Sequence, residues 1–236
     1  MIFDIVSIFP HILDSYLNES ILKRAQKKKL IKIYCHDPRQ FATDVHKTVD
    51  DRPFGGGPGM LMKIEPLYKT LKKIKRAKKS RVILFDPAGT PFSQAKAAEF
   101  SKLDQLIMLA GRYEGVDARI EKFIDEKISI GPYVLSGGEL PATIVVEAVS
   151  RLLPGVLGNH ESLNEETFNG QSLKIENLPV RQAGCKLKID HEYPHYTRPK
   201  TFEYLEKGKK KKLTVPKVLL SGNHKEIKEW REKNKK

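Results

Sequence analysis

Lys127-Ile128-Ser129-Ile130-Gly131-Pro132-Tyr133-Val134-Leu135-Ser136-Gly137-Gly138-Glu139-Leu140-Pro141-Ala142 (127–142) is the stretch that decides the fold class. KISIG (127–131) reads as a short strand, and apolar spacing predicts a helix over 139–153. A glycine-rich segment joins the two. The same alternation recurs upstream. IFDIVSIF (2–9) reads as a strand ended by Pro10, and Ile12 to Leu22 as a helix that closes on Lys27, Lys28 and Lys29, cations suited to its C-terminal dipole. LIKIYC (30–35), RVILFD (81–86) and QLIMLAG (105–111) are further strands, with helices expected over 66–79, 92–100 and 116–124. Residues 37–60 carry Asp, Pro and Gly throughout and read as a long loop. Strands alternating with helices imply an α/β domain with a mostly parallel sheet.

That pattern breaks at Pro154-Gly155 and Gly158, so the first domain is expected to span 1–158. Residues 159–193 are polar and weakly periodic, a flexible linker. Residues 194–236 form a small, mainly helical second domain that ends in a charged helix carrying Trp230.

Charge narrows the class of partner. The chain has 236 residues and a net charge of +14. Half of that excess, +7, falls in 161–236, the shorter part. Two basic runs stand out, 69–81 with eight basic residues and no acid, and Lys209–Lys212. A surface this basic suits a polyanion, and paired runs flanking a glycine-rich core suit one that carries phosphates. Two cysteines without a CxxC pair, Cys35 and Cys185, argue against a disulfide scaffold, an iron–sulfur protein or a Cys-ligated zinc site. Met1-Ile2-Phe3-Asp4-Ile5 lacks the basic start and long apolar run of a signal peptide, and no apolar run is long enough to span a bilayer. A cytoplasmic protein with no membrane partner is expected.

Three glycine-rich segments could carry chemistry. Asp50-Asp51-Arg52-Pro53-Phe54-Gly55-Gly56-Gly57-Pro58-Gly59-Met60 lacks the Gly-Lys-Ser/Thr ending of a phosphate-binding loop, which disfavours a nucleotide hydrolase. Gly111-Arg112-Tyr113-Glu114-Gly115-Val116-Asp117 follows the fourth strand and 130–141 the fifth. In an open α/β sheet, ligands sit outside the carboxyl ends of the strands, where glycines let the main chain come close. There is no G-x-G-x-x-G after a strand, so an ordinary dinucleotide site has little support. The residues alone lead to a small ligand held by glycine loops at a sheet edge beside a basic surface.

DDRPFGGGPGM (50–60), GRYEGVD (111–117), SIGPYVLSGGELPA (129–142), SRLLPGVLGN (150–159), PHYTRP (194–199) and LLSGNH (219–224) resemble the bacterial tRNA (guanine-N1)-methyltransferases, the TrmD family, in order and over nearly the whole chain. The resemblance implies a SPOUT-type fold with a deep trefoil knot and a homodimer. It implies S-adenosylmethionine as methyl donor, tRNA as substrate, and methylation at N1 of the guanosine 3′ of the anticodon. Other targets for the same fold, or a basic RNA-binding protein without catalysis, are the competing readings.

N1 of guanine is protonated at neutral pH, so transfer needs a base for that proton and a cation for charge moving onto O6. By resemblance, Arg151 in SRLLPG is the cation, its fork suited to a carbonyl oxygen. Glu166 in Glu165-Glu166-Thr167-Phe168 falls where the family usually has an aspartate, and Glu165 is the substitute base. Donor contacts carry over to Pro87, Gly111, Tyr113, Gly115, Ile130, Gly131, Pro132, Tyr133, Val134, Leu135, Gly137, Gly138 and Pro141. RNA contacts carry over to Asp50, Arg52, Gly57, Pro58, Gly59, His195 and Tyr196. Asp86 departs from the small polar residue common before Pro87. The family's magnesium dependence would act near Glu114 and Asp117 or through RNA, and no metal ligand is assigned. The 169–193 segment is longer than the usual link and the second domain shorter.

Overall fold

The computed structural model describes residues 1–157 and 193–234. Five parallel strands form one sheet in the order β2 (Lys32–His36), β1 (Ile2–Val6), β6 (Gln105–Leu109), β5 (Ser80–Pro91), β7 (Glu126–Ser129). Side chains alternate across a strand, and both faces of this sheet are covered. Phe3, Ile5, Ile83, Leu106, Met108 and Ile128 face one layer, with α2 (Ser20–Lys27), α4 (Gln94–Phe100) and α5 (Glu139–Arg151). Val6, Val82, Leu84, Ile107 and Leu109 face the other, where α3 (Ile64–Lys73) packs. Between those layers, Asp4 is buried but satisfied: its carboxylate pairs with His36 Nε2 at 2.7 Å and accepts from Gln105 Nε2 at 2.7 Å.

Several elements differ from the sequence expectation. The helix expected over 12–22 is two pieces, α1 (Asp14–Leu17) and α2, broken where Ser20 takes a positive φ of 47°. The helix expected over 66–79 ends at Lys73, because the Gln105 side chain captures the backbone of Lys75 and Ala77. The segment 116–124 holds a 3₁₀ turn, Ala118–Phe123, capped by the Asp117 carboxylate. The long loop contains a 3₁₀ turn, Pro38–Phe41, and the two-residue strand β3 (Asp50–Asp51), antiparallel to β4 (Leu61–Met62).

The mainly helical C-terminal portion is corrected. Residues 201–214 form a hairpin of β8 (Thr201–Glu206) and β9 (Lys209–Thr214), and only then come a 3₁₀ turn and α6 (His224–Lys233). Lys207 and Gly208 both have positive φ, 50° and 75°, the two-residue turn whose twist matches a hairpin. Phe202 and Tyr204 are buried against Tyr68 of α3 and Phe123, with ring centroids 4.7–6.4 Å apart. A second small core gathers Val215, Leu219 and Ile227 with Phe54, Tyr196 and Trp230.

Candidate active site

β5 carries an unusual feature that opens the site. It pairs with β7 through Phe85, leaves the ladder over 86–89, and rejoins at Thr90 opposite the same Ile128. Gly89 is required there: a β-carbon would stand 2.6 Å from the Ile128 nitrogen. Asp86 holds the excursion, accepting from the Ala88 amide at 2.9 Å and pairing with Lys127 at 2.9 Å. Burial works against the Lys127 charge, yet the Glu121 and Asp86 carboxylates beside it raise its pKa above the usual lysine value.

The loops after β6 and β7 meet. Arg112 and Gly137 bridge, and the Gly138 amide donates to the Gly111 carbonyl at 2.8 Å. A β-carbon on Gly138 would lie 2.6 Å from Ala110 Cα, so only glycine permits this approach. The contact is braced below by a buried carboxylate. Glu139 accepts from Ser7 Oγ at 2.6 Å and from Arg112 Nε at 2.8 Å, and the Arg112 guanidinium lies 4.9 Å from the Phe9 ring centroid. Tyr113 sits in the left-handed region, φ 61°, uncommon for a residue other than glycine.

These segments enclose a cavity of about 430 Å³ at the carboxyl ends of β5, β6 and β7. Of the sequence-predicted donor contacts, Pro87, Gly111, Tyr113, Gly115, Ile130, Gly131, Tyr133, Val134, Leu135, Gly137, Gly138 and Pro141 line it, and Pro132 does not. Its volume falls within the ~300–1,000 Å³ typical of small-molecule pockets. Glycine-rich main chain on its walls is suited to reading an adenosine edge through amides and carbonyls.

The predicted RNA contacts divide. His195 lines the cavity, its ring 4.5 Å from that of Tyr193, and its carbonyl accepts from the Ala118 amide. Tyr196 instead packs edge-on against Trp230, and burial raises its hydroxyl pKa. Asp50 stands in β3. The Arg52 carbonyl accepts from Thr197 Oγ at 3.0 Å. Gly57, Pro58 and Gly59 lie on a loop that meets the cavity rim, since Gly59 abuts the Glu114 side chain and the Met60 carbonyl accepts from the Glu114 amide. Arg151 ends α5. Its Cα is roughly 18 Å along the helix axis from Glu139 at the cavity. Glu165, Glu166 and the whole 159–192 segment lie outside the described residues.

Sequence reasoning missed the group that anchors this wall. Asp117 and Arg119 are buried and joined by two hydrogen bonds, 2.9 and 2.7 Å. Arg119 also donates to the carbonyls of Thr197 and Pro199, and Asp117 accepts from the Thr197 amide. PHYTRP is thereby tied beside GRYEGVD. The D-x-R spacing within a glycine loop was the available signal. Asp117 is consumed by these bonds. Among the described residues no group of three His, Cys, Asp or Glu could hold a metal ion. Burial, and after it the Asp14 carboxylate, pushes the Cys35 thiol up to about 11. Among the described residues no helix is long and apolar enough to cross a membrane.

The family model described as tRNA (Guanine-1)-methyltransferase TrmD matches residues 1–236. A tRNA (guanine-N(1)-)-methyltransferase of Dictyoglomus turgidum is 46% identical over 230 residues, 98% of this chain and 83% of that protein. One of Clostridioides difficile is 44% identical over 235 residues, covering 98% and 90%. One of Carboxydothermus hydrogenoformans is 45% identical over 231 residues, covering 98% and 81%. With GRYEGVD and SIGPYVLSGGELPA both contributing to the walls of one glycine-lined cavity, the chain belongs to the tRNA (guanine-1)-methyltransferase TrmD family.

Proposed function

We propose that this protein is a cytoplasmic tRNA (guanine-N1)-methyltransferase that transfers a methyl group from S-adenosylmethionine to N1 of guanosine 37, immediately 3′ of the anticodon. The observation that carries the reading is the convergence of segments 86–89, 111–115 and 130–138 on one cavity of about 430 Å³, in a chain matched end to end by the family model. The donor supplies an electrophilic methyl group. The chain's own residues hold and orient it, chiefly through main-chain groups of these loops, with Glu139 and Arg112 fixing their contact. Glu166 takes the N1 proton, and Arg151 stabilises the negative charge moving onto O6 as the N1–carbon bond forms. His195 and Tyr193 form the wall against which the target base is placed. Residues 1–158 bind the donor, 159–193 bring the base, and 194–236 contact RNA. The main-chain contact of 137–138 with 111–112 supports a deep trefoil knot in which these loops cross.

The active unit is a homodimer. Leu140 and Ile144 are exposed at 62% and 43% on α5, and Arg151 continues their stripe by helical spacing. Two α5 helices antiparallel about a two-fold axis would set Arg151 of the partner subunit beside Leu140 and Pro141 at the cavity. This arrangement supplies the ~18 Å that one chain does not span.

Methyl transfer from labelled S-adenosylmethionine to two tRNA transcripts, with guanosine or adenosine at position 37, tests the reading. Incorporation into the first alone is expected. No incorporation would leave the noncatalytic reading, and equal incorporation would remove the target assignment. Arg151→Ala and Glu166→Gln should each slow single-turnover transfer by about 100-fold or more, a typical effect of losing an acid–base or electrostatic group, while donor affinity holds.

A further inference from the structure

We propose that the β8–β9 hairpin and the end of α3 together form a second tRNA-binding face, outside the cavity, that tracks the phosphate backbone. The inference rests on the reading of this chain as a tRNA methyltransferase. The two basic runs lie some 130 residues apart in the chain, and the aromatic cluster of Tyr68, Phe123, Phe202 and Tyr204 brings them to one seam. Phe202 and Tyr204 point inward from β8. Opposite residues of an antiparallel pair share a face, so Lys210 and Lys212, opposite Leu205 and Glu203, point outward.

The hairpin's acids are already used. Glu203 pairs with Lys212 and Glu206 with Lys211. Lys207, Lys209 and Lys210 are exposed and make no ion pair among the described residues. The same holds for Lys72, Lys73, Lys75, Lys78 and Lys79 at and beyond the end of α3. Two carboxylates on the hairpin do not balance its five lysines, and among the described residues no carboxylate pairs with the five at and beyond the end of α3, so this side of the seam presents positive charge to an anion.

Geometry favours a long anion. α3 starts just after β4, whose Met62 pairs with Val116 at the cavity rim, and its ten residues carry the chain about 15 Å away from that rim. A small phosphate compound in the cavity would not reach these lysines. A nucleic acid that places one nucleotide in the cavity would run its adjoining stem across them. Lysine offers point charges without base readout, so the face would add affinity and leave sequence preference unchanged.

The test measures binding of full-length tRNA by fluorescence anisotropy across a salt series. The variants are Lys207→Ala/Lys209→Ala/Lys210→Ala on the hairpin and Lys72→Ala/Lys73→Ala on α3. Lys27→Ala/Lys32→Ala, exposed lysines of α2 and β2, is the control. Each of the first two should weaken binding about tenfold at physiological salt and lower the slope of log K against log salt by about 0.9 for each phosphate no longer neutralised. The control should do neither, and donor affinity and the rate at saturating tRNA should hold. Unchanged affinity and slope overturn the proposal. So does an equal effect from the control, or loss of binding to phosphatidylserine vesicles with tRNA binding intact. Failure of the unaltered protein to methylate any tRNA would instead overturn the enzymatic reading, because the binding measurement does not depend on turnover.

Discussion

Gly138 shows how much of the site depends on a missing side chain. Its neighbours within reach are main-chain atoms of Ala110 and Gly111, which cannot swing aside as a flexible side chain would. Gly138→Ala should therefore separate the two loops. A loss of roughly 1–3 kcal/mol in urea unfolding is expected, the usual cost of overpacking, together with a donor affinity lowered at least tenfold by calorimetry. Retained affinity would show that the loops bind the donor without their close approach. SGGELPA marked this position in the sequence as glycine-rich. It did not indicate that the glycine faces a chain segment almost thirty residues away, since nothing local encodes that distance. Asp117 shows what a side chain does rather than what a missing one permits: its fork with Arg119 holds the PHYTRP segment through the Thr197 amide. A partner two residues away was visible; the carbonyls of Thr197 and Pro199 were not.

At the scale of elements, the parallel strands were legible because each is a short β-type run bounded by turn or charged residues, with β1 and β6 buried and the edge strand β2 partly exposed. The C-terminal hairpin was not. Phe202 and Tyr204 alternate as a strand should, but β9 opens with four lysines in succession, which hides a period of two. The Lys207-Gly208 turn was the local cue. α6 acts on an element far from it in sequence. Arg231 donates through Nη2 to the carbonyls of Gly55 and Gly56, and its guanidinium lies 4.9 Å from the Tyr193 ring centroid. One helix thus holds the glycine loop and the cavity wall together. Arg231→Ala should leave the sheet intact while amide exchange speeds up over residues 54–57 and 193–196, and it should raise the KM for tRNA more than that for the donor. Unchanged exchange in both segments would show that the loop keeps its place without the helix.

For the whole molecule, the exposed apolar stripe on α5 is the strongest sign of assembly, because its other face supplies Ala142, Val145, Val146 and Val149 to the core. Ile144→Glu puts a charge on that stripe without touching the core. It should shift the protein to a monomer in sedimentation analysis and abolish methyl transfer. The circular dichroism spectrum of the monomer should stay that of the parent. A variant that stays dimeric and active would remove α5 from the interface. The +14 charge pointed to a polyanion, and the alternating strands and helices to a parallel α/β sheet. Both follow from composition and short-range periodicity, which act within a few residues. The motif spacing carried the family. The tertiary structure decided which glycine meets which backbone, that PHYTRP is buckled to Asp117 and Arg119, and that two lysine runs share a seam. Those facts depend on contacts between segments from almost thirty to well over a hundred residues apart, set by packing of the whole chain rather than by any stretch of it.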